Sequence, residues 1–212
     1  MSNNVKSAGN QQEIRRRRMR GRPSETTRQA PSVAACRAYL LGALHDGTFN
    51  QHNQRYRFAQ KGTDWLKILK NCLTITGNSS WVYKEGVHRE VYVLETRAKF
   101  LDVYFNPLQL VTTKEKKAYL RGFFDAEGGI PRQSEARFYI QLVQNDFEKL
   151  EKLKILLNQL GIHTGEIHNP SVKIDPDYFR MFVVRDSQKK FLQEIGTWHP
   201  RKIKVLQQRV KI

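Results

Sequence analysis

Cysteine is nearly missing from this chain: Cys36 and Cys72 are the only two in 212 residues. That excludes a disulfide framework and a Cys-rich zinc site, and it suits a reducing compartment. No apolar run approaches the roughly 20 residues of a membrane span, so a membrane is not expected as a partner. The first residues are rich in arginine rather than apolar, so no secretory signal peptide is expected. An intracellular setting follows, either an organelle (mitochondrion or chloroplast) or a prokaryotic cytoplasm. Acidic residues are scarce too. Against 37 Lys and Arg there are 20 Asp and Glu, a net charge of +17 with a pI near 10.1. An excess of that size points to a polyanion, nucleic acid before any other. A hydrophobic content of 39% is enough to build a core.

What is present is a repeat. Ala38-Tyr-Leu-Leu-Gly-Ala-Leu-His-Asp-Gly47 and Ala118-Tyr-Leu-Arg-Gly-Phe-Phe-Asp-Ala-Glu-Gly128 share one design. Each is a helix start followed by apolar residues, then an acid and a glycine. Two copies about eighty residues apart indicate a duplicated unit. The chain divides accordingly into a basic tail over residues 1–31, a first unit over 32–105, a linker over 106–114 and a second unit over 115–212. The tail holds eight basic residues against two acidic ones and almost no large apolar side chains, a composition that does not order on its own.

Periodicity predicts a helix over 33–45, strands over 48–50 and 55–60, a helix over 64–73, strands over 81–83 and 87–95, and a helix over 98–104. The second unit repeats the order. It has a helix over 113–126 capped by Thr113, strands over 129–132 and 136–144, and a helix over 146–160 ended by Gly161. Strands over 163–168 and 178–184 follow, then helices over 187–195 and 201–210. The fold class is α+β: two pseudo-symmetric αββαββα units.

Gly42 and Gly122 fall inside helices, where glycine costs about 1 kcal/mol against alanine. Such a glycine marks the close approach of another backbone. Packing the two helices through these positions brings their C-terminal ends together, with Asp46 and Glu127 side by side. A carboxylate there opposes the helix dipole, and two at close range repel unless a cation stands between them. Magnesium is suited to the place, since it takes one or two carboxylates and completes its shell with water and phosphate oxygens.

Leu120-Arg-Gly-Phe-Phe-Asp-Ala-Glu-Gly128 resembles the LAGLIDADG motif of the homing endonucleases in length, glycine spacing and acidic end. Leu40-Leu-Gly-Ala-Leu-His-Asp-Gly47 resembles it with one residue fewer, which in an α-helix would turn Asp46 by about 100°. The resemblance covers about residues 33–212 and implies the single-chain, two-motif form: a monomer with internal pseudo-two-fold symmetry and a saddle of antiparallel sheets over double-stranded DNA. It implies that Asp46 and Glu127, with the backbone of His45 and Ala126, hold Mg2+. Mn2+ would substitute and Ca2+ would bind without supporting cleavage. It also implies a polar residue at the end of each unit's second strand, matched by Gln60 and Gln144, and a nearby basic residue. Arg97 and Arg185 are placed for that role.

Strand alternation turns Arg55 and Arg57 outward in the first sheet, and Arg137, Tyr139 and Gln141 in the second. Arginine and glutamine have the right shape to read guanine and adenine edges. Lys84, Arg89, Lys173 and Arg180 would extend that surface. His45 reads as a surface or supporting residue, and Trp65 and Trp198 as core anchors. The reading that results is a Mg-dependent, site-specific DNA endonuclease. Its rivals on the same scaffold are an intron RNA maturase and a non-catalytic DNA-binding regulator.

Overall fold

In the computed structural model, which describes residues 31–133 and 135–209, the two glycine-containing helices cross at the centre. Helix α1 spans Val33–Ala43 and ends in a 3-10 turn, Leu44–Asp46. Ser32 caps it, accepting a hydrogen bond from the amide of Ala35. Helix α3 spans Thr113–Glu127. Its cap is Thr112 rather than the expected Thr113, because only Thr112 is spaced to form a capping box with Glu115. A Cβ on Gly42 would run into the carbonyl oxygen of Tyr119, and one on Gly122 into that of Tyr39. The two clashes are reciprocal, so the helices meet backbone to backbone about a pseudo-two-fold axis.

In the first half, β1 (Gly47–Asn50), β2 (Arg55–Lys61), β3 (Ser80–Lys84) and β4 (Val91–Thr96) form an antiparallel sheet in the order β1-β2-β4-β3. Helix α2 (Asp64–Ile75) joins β2 to β3 and packs Trp65, Leu66, Leu69, Cys72 and Leu73 inward. In the second half, β5 (Gly128–Gly129), β6 (Gln141–Gln144) and β7 (Phe179–Phe182) form a smaller antiparallel sheet. Helices α4 (Phe147–Gln159), α5 (Arg185–Glu194) and α6 (Pro200–Arg209) complete it. One hydrophobic core runs through both halves, from Phe58 and Leu94 under the first sheet, through Tyr39, Leu40, Leu120 and Phe123, to Leu142 and Met181 under the second.

The expected α+β architecture is present, with several local corrections. Residues 98–104 are not helical. Two successive turns, closed by Leu101 on Ala98 and Phe105 on Asp102, bury Ala98 and Leu101 and let the Tyr56 hydroxyl donate to the Leu101 carbonyl. Strand β4 begins at Val91 rather than 87, and β5 and β6 are shorter than their apolar pattern suggested. The expected 163–168 strand is reduced to two bridges, Thr164 to Val183 and His168 to Arg180. The basic tail, except Pro31, and Val210 lie outside the described residues.

Candidate active site

Asp46 and Glu127 end the 3-10 turn and α3 respectively, on either side of the pseudo-two-fold axis. The missing residue of the first motif is absorbed by that turn. A 3-10 helix rises about 2.0 Å and rotates 120° per residue, against 1.5 Å and 100° for an α-helix. From Gly42, one α step and three 3-10 steps climb about 7.5 Å, as five α steps do from Gly122. The angular mismatch falls from about 100° to about 40°. The change of helix type thus brings Asp46 back toward the place that its counterpart Glu127 holds.

Hydrogen bonding locates the missing position. The Tyr39 hydroxyl donates to Asp125 Oδ2 at 2.7 Å, and in the mirror-related place Tyr119 Oη lies 2.8 Å from His45 Nε2. His45 is therefore the counterpart of Asp125, and the residue equivalent to Ala126 is the one absent. His45 is drawn inward rather than lying at the surface. Burial, with help from Lys149, lowers its pKa to about 3, so it is neutral. Its Nδ1 accepts from Gln144 Nε2 at 3.2 Å, which leaves the proton on Nε2 to face Tyr119.

The two acids differ in what holds them. Gln60 Nε2 donates to Asp46 Oδ2 at 2.5 Å. Asp46 reaches solvent, yet protein crowds its inner side, and this desolvation raises its pKa to about 6 against the pull of Gln60 and Lys202. Glu127 is pushed up to about 7, first by burial and then by the negative charge of Asp46, with Lys202 opposing. Each acid thus sits within the other's field or that of a shared cation. Gln144 does not mirror Gln60. It is 8% exposed, bonded to His45, and accepts the amide of Asn145 through Oε1.

The sequence did not place Lys202 beside the acid pair. Helix α6 delivers it from the far end of the chain, 5% exposed, onto the C-terminal end of α3. There Nζ donates to the carbonyl of Phe124 and, at 3.1 Å, to that of Asp125. Burial lowers its pKa to about 8, while Asp125, Glu127 and Asp46 act to raise it. No spacing in the sequence connects it to the motif; the helix expected over 201–210 showed only that this segment is ordered. The preceding residues anchor it. The Trp198 amide donates to Asp125 Oδ2 at 2.9 Å, the Thr197 hydroxyl to Oδ1, the Trp198 ring packs 4.5 Å from that of Tyr39, and His199 stacks on Trp65 at 5.5 Å. Arg97 and Arg185 are exposed and are not among the groups that shift either acid.

The donor set fits magnesium. It offers two carboxylates, both raised in pKa chiefly by burial, with open solvent on one side for water and phosphate. Among the described residues no third His, Cys, Asp or Glu joins them, as a closed zinc site would require.

On the open faces of the sheets, Arg55 and Arg57 do point outward, but both are engaged by Glu95. Lys84 pairs with Glu90 at 2.6 Å, while Arg89 and Lys173 stand exposed in loops. Arg137 is exposed; Tyr139 is half-buried, edge-on to Phe182, over which Arg180 lies at 5.1 Å. The side chain of Gln141 lies across Gly129, where any Cβ would meet it.

A family profile described as the LAGLIDADG-like domain matches residues 114–196. No curated protein matches the chain. Among solved structures, I-DmoI in complex with DNA and Mn superposes with a TM-score of 0.58 at 18% identity, covering 78% of this chain and 98% of that one. I-DmoI in complex with DNA and Ca gives 0.58 at 19%, covering 84% and 99%. Full-length DUF199/WhiA from Thermatoga maritima gives 0.62 at 15%, covering 86% of this chain and 63% of that one.

Proposed function

Because this chain has the LAGLIDADG fold, with a LAGLIDADG-like domain over residues 114–196, we propose that it is a site-specific double-strand DNA endonuclease. The observation that carries the reading is the convergence of Asp46 and Glu127 at the ends of α1 and α3, close enough that the charge of one raises the pKa of the other. Carboxylates kept in such a place destabilise the fold, and a cation-dependent reaction at a phosphate gives them a purpose. Asp46 and Glu127 would hold Mg2+, with the backbone of His45 and Ala126 beside them. The ion when bound would polarise the phosphate, acidify a water and steady the leaving oxygen.

The chain's own groups have separable tasks. Gln60 fixes the rotamer of Asp46 and, through its remaining amide capacity, orients solvent. Gln144 acts one step further back, holding His45 in a single tautomer. Lys202 neutralises part of the negative charge at the end of α3 and holds that end in place. The basic surface of a +17 chain supplies affinity for the DNA backbone. I-DmoI, crystallised on DNA with Mn and with Ca, supports duplex DNA as the partner and divalent ions as the cofactor class. The likeness to WhiA, whose name carries no nuclease activity, keeps a second reading: a DNA-binding regulator that does not cut.

Incubation with a randomised duplex library separates the two. Endonuclease activity predicts an enriched, Mg2+-dependent cut sequence, lost in Asp46→Asn and in Glu127→Gln while DNA binding persists. Sequence-selective binding without any cut product would establish the regulator instead.

A further inference from the structure

The first sheet carries a buried carboxylate on its open face. Glu95, in β4, lies opposite Arg57 of β2 on one side and Trp81 of β3 on the other, on the face away from Phe58 and Leu94. It is 7% exposed. Its Oε2 takes Arg55 Nη1 at 3.0 Å, and its Oε1 faces Arg57 Nε at 3.2 Å while accepting the Tyr83 hydroxyl at 2.9 Å. Arg57 is held from the other end by Glu85, Nη2 to Oε1 at 2.8 Å. The Arg55 guanidinium also lies 4.8 Å above the ring of Trp81.

These contacts engage Nη1 of Arg55, and Nε and Nη2 of Arg57. Both Nε–H groups are buried and make no well-aligned hydrogen bond, and about a third of each arginine side chain, 31% and 32%, still faces solvent. Each Nη nitrogen carries two N–H groups, so the ion pairs at Arg55 Nη1 and Arg57 Nη2 still leave N–H donors on both Nη pairs, the kind of group that matches guanine O6 and N7. A mobile arginine would lose rotamer freedom on reaching a base; one already fixed loses little. An acid on a DNA-facing surface also repels phosphate. Its presence there weakens indiscriminate binding while favouring the site where both arginines find bases.

We propose that Glu95 is a specificity-determining residue: it braces Arg55 and Arg57 as a fixed pair that reads guanines in the half-site under the first sheet. The inference rests on the DNA-binding part of the proposed function and does not involve the acid pair. The second sheet uses another device, since Arg180 is braced by His168 Nε2 at 3.2 Å and by the ring of Phe182. The two half-sites are therefore read by different chemistry.

The test is selection from a randomised duplex library in Ca2+, comparing the full chain with Glu95→Gln and Tyr83→Phe. The natural chain should enrich guanine at one or two positions of one half-site, with discrimination of about 5- to 150-fold, the range of a bidentate arginine contact. Glu95→Gln should lose at least 5-fold of that preference at those positions alone, and bind random duplex a few-fold more tightly because one negative charge has gone. Tyr83→Phe should move the same positions by less. Unchanged preferences in Glu95→Gln would overturn the proposal. So would a loss spread evenly over both half-sites, which would mark a general weakening of the fold. If the natural chain enriches no sequence, the DNA-reading function itself fails, and that outcome is visible before any variant is compared.

Discussion

Asp46 and Glu127 have pKa values raised to about 6 and about 7, so each holds a proton in the folded chain at a pH where it would have lost it in water. The native state therefore binds more protons than the unfolded one from about pH 4 upward, and the contribution of these acids to stability falls as pH rises through 6 and 7. A divalent ion competes for the same lone pairs. Cleavage rate at limiting Mg2+ should accordingly climb between pH 5.5 and 7.5 and shift to lower pH as Mg2+ is raised. A rate flat over that range would show that neither acid titrates during the reaction. Lys202 adds an upper limit, because its pKa of about 8 lets it lose charge in mild alkali. Lys202→Met should slow cleavage about 10- to 100-fold, as expected for about 1.4–2.8 kcal/mol of lost electrostatic support. DNA affinity measured by filter binding should hardly change, and Lys202→Arg should restore part of the rate.

At the scale of elements, the crossing of α1 and α3 fixes everything that converges below it. Gly122 has the carbonyl of Tyr39 and the amide of Ala43 against it, so neither neighbour is a side chain that could move aside. Gly122→Ala should therefore destabilise by ~3 kcal/mol or more, the upper range for overpacking a tight contact; a chemical denaturation curve would read it as a lower midpoint. The sequence announced this crossing, because a glycine repeated inside two apolar helices has few other uses. The ends of the helices were less legible. That a 3-10 turn compensates the short motif depends on tertiary packing, which decides between two helix types of similar local cost. The 98–104 segment looked helical by apolar spacing, yet Ala98 and Leu101 are buried by turns that propensity does not register. Glu95 alternates correctly with Leu94, but no single-strand pattern reveals that two arginines from β2 share it.

Across the whole molecule, the symmetry seen in the repeat is real in the backbone and broken in the chemistry. Gln60 touches an acid where Gln144 touches a histidine. Trp65 donates its indole N–H to Tyr39, while Lys149 occupies the corresponding place near His45. Helix α6 hydrogen-bonds its cation to the end of α3 only, although the charge reaches both acids. Lys202 was invisible to any motif search because it lies 75 positions after Glu127 and only the fold brings them together. The asymmetry gives the two acids different surroundings but one shared field, so that under the proposed function both act on a single ion centre. That shared centre is tested by Mn2+ affinity, followed by electron paramagnetic resonance, in the natural chain, Asp46→Asn, Glu127→Gln and the double variant. One ion centre built from both halves predicts that each single change weakens binding at least 10-fold and that the double change adds little more, a strongly coupled cycle. Affinity unchanged in either single variant, or losses that simply add, would contradict it.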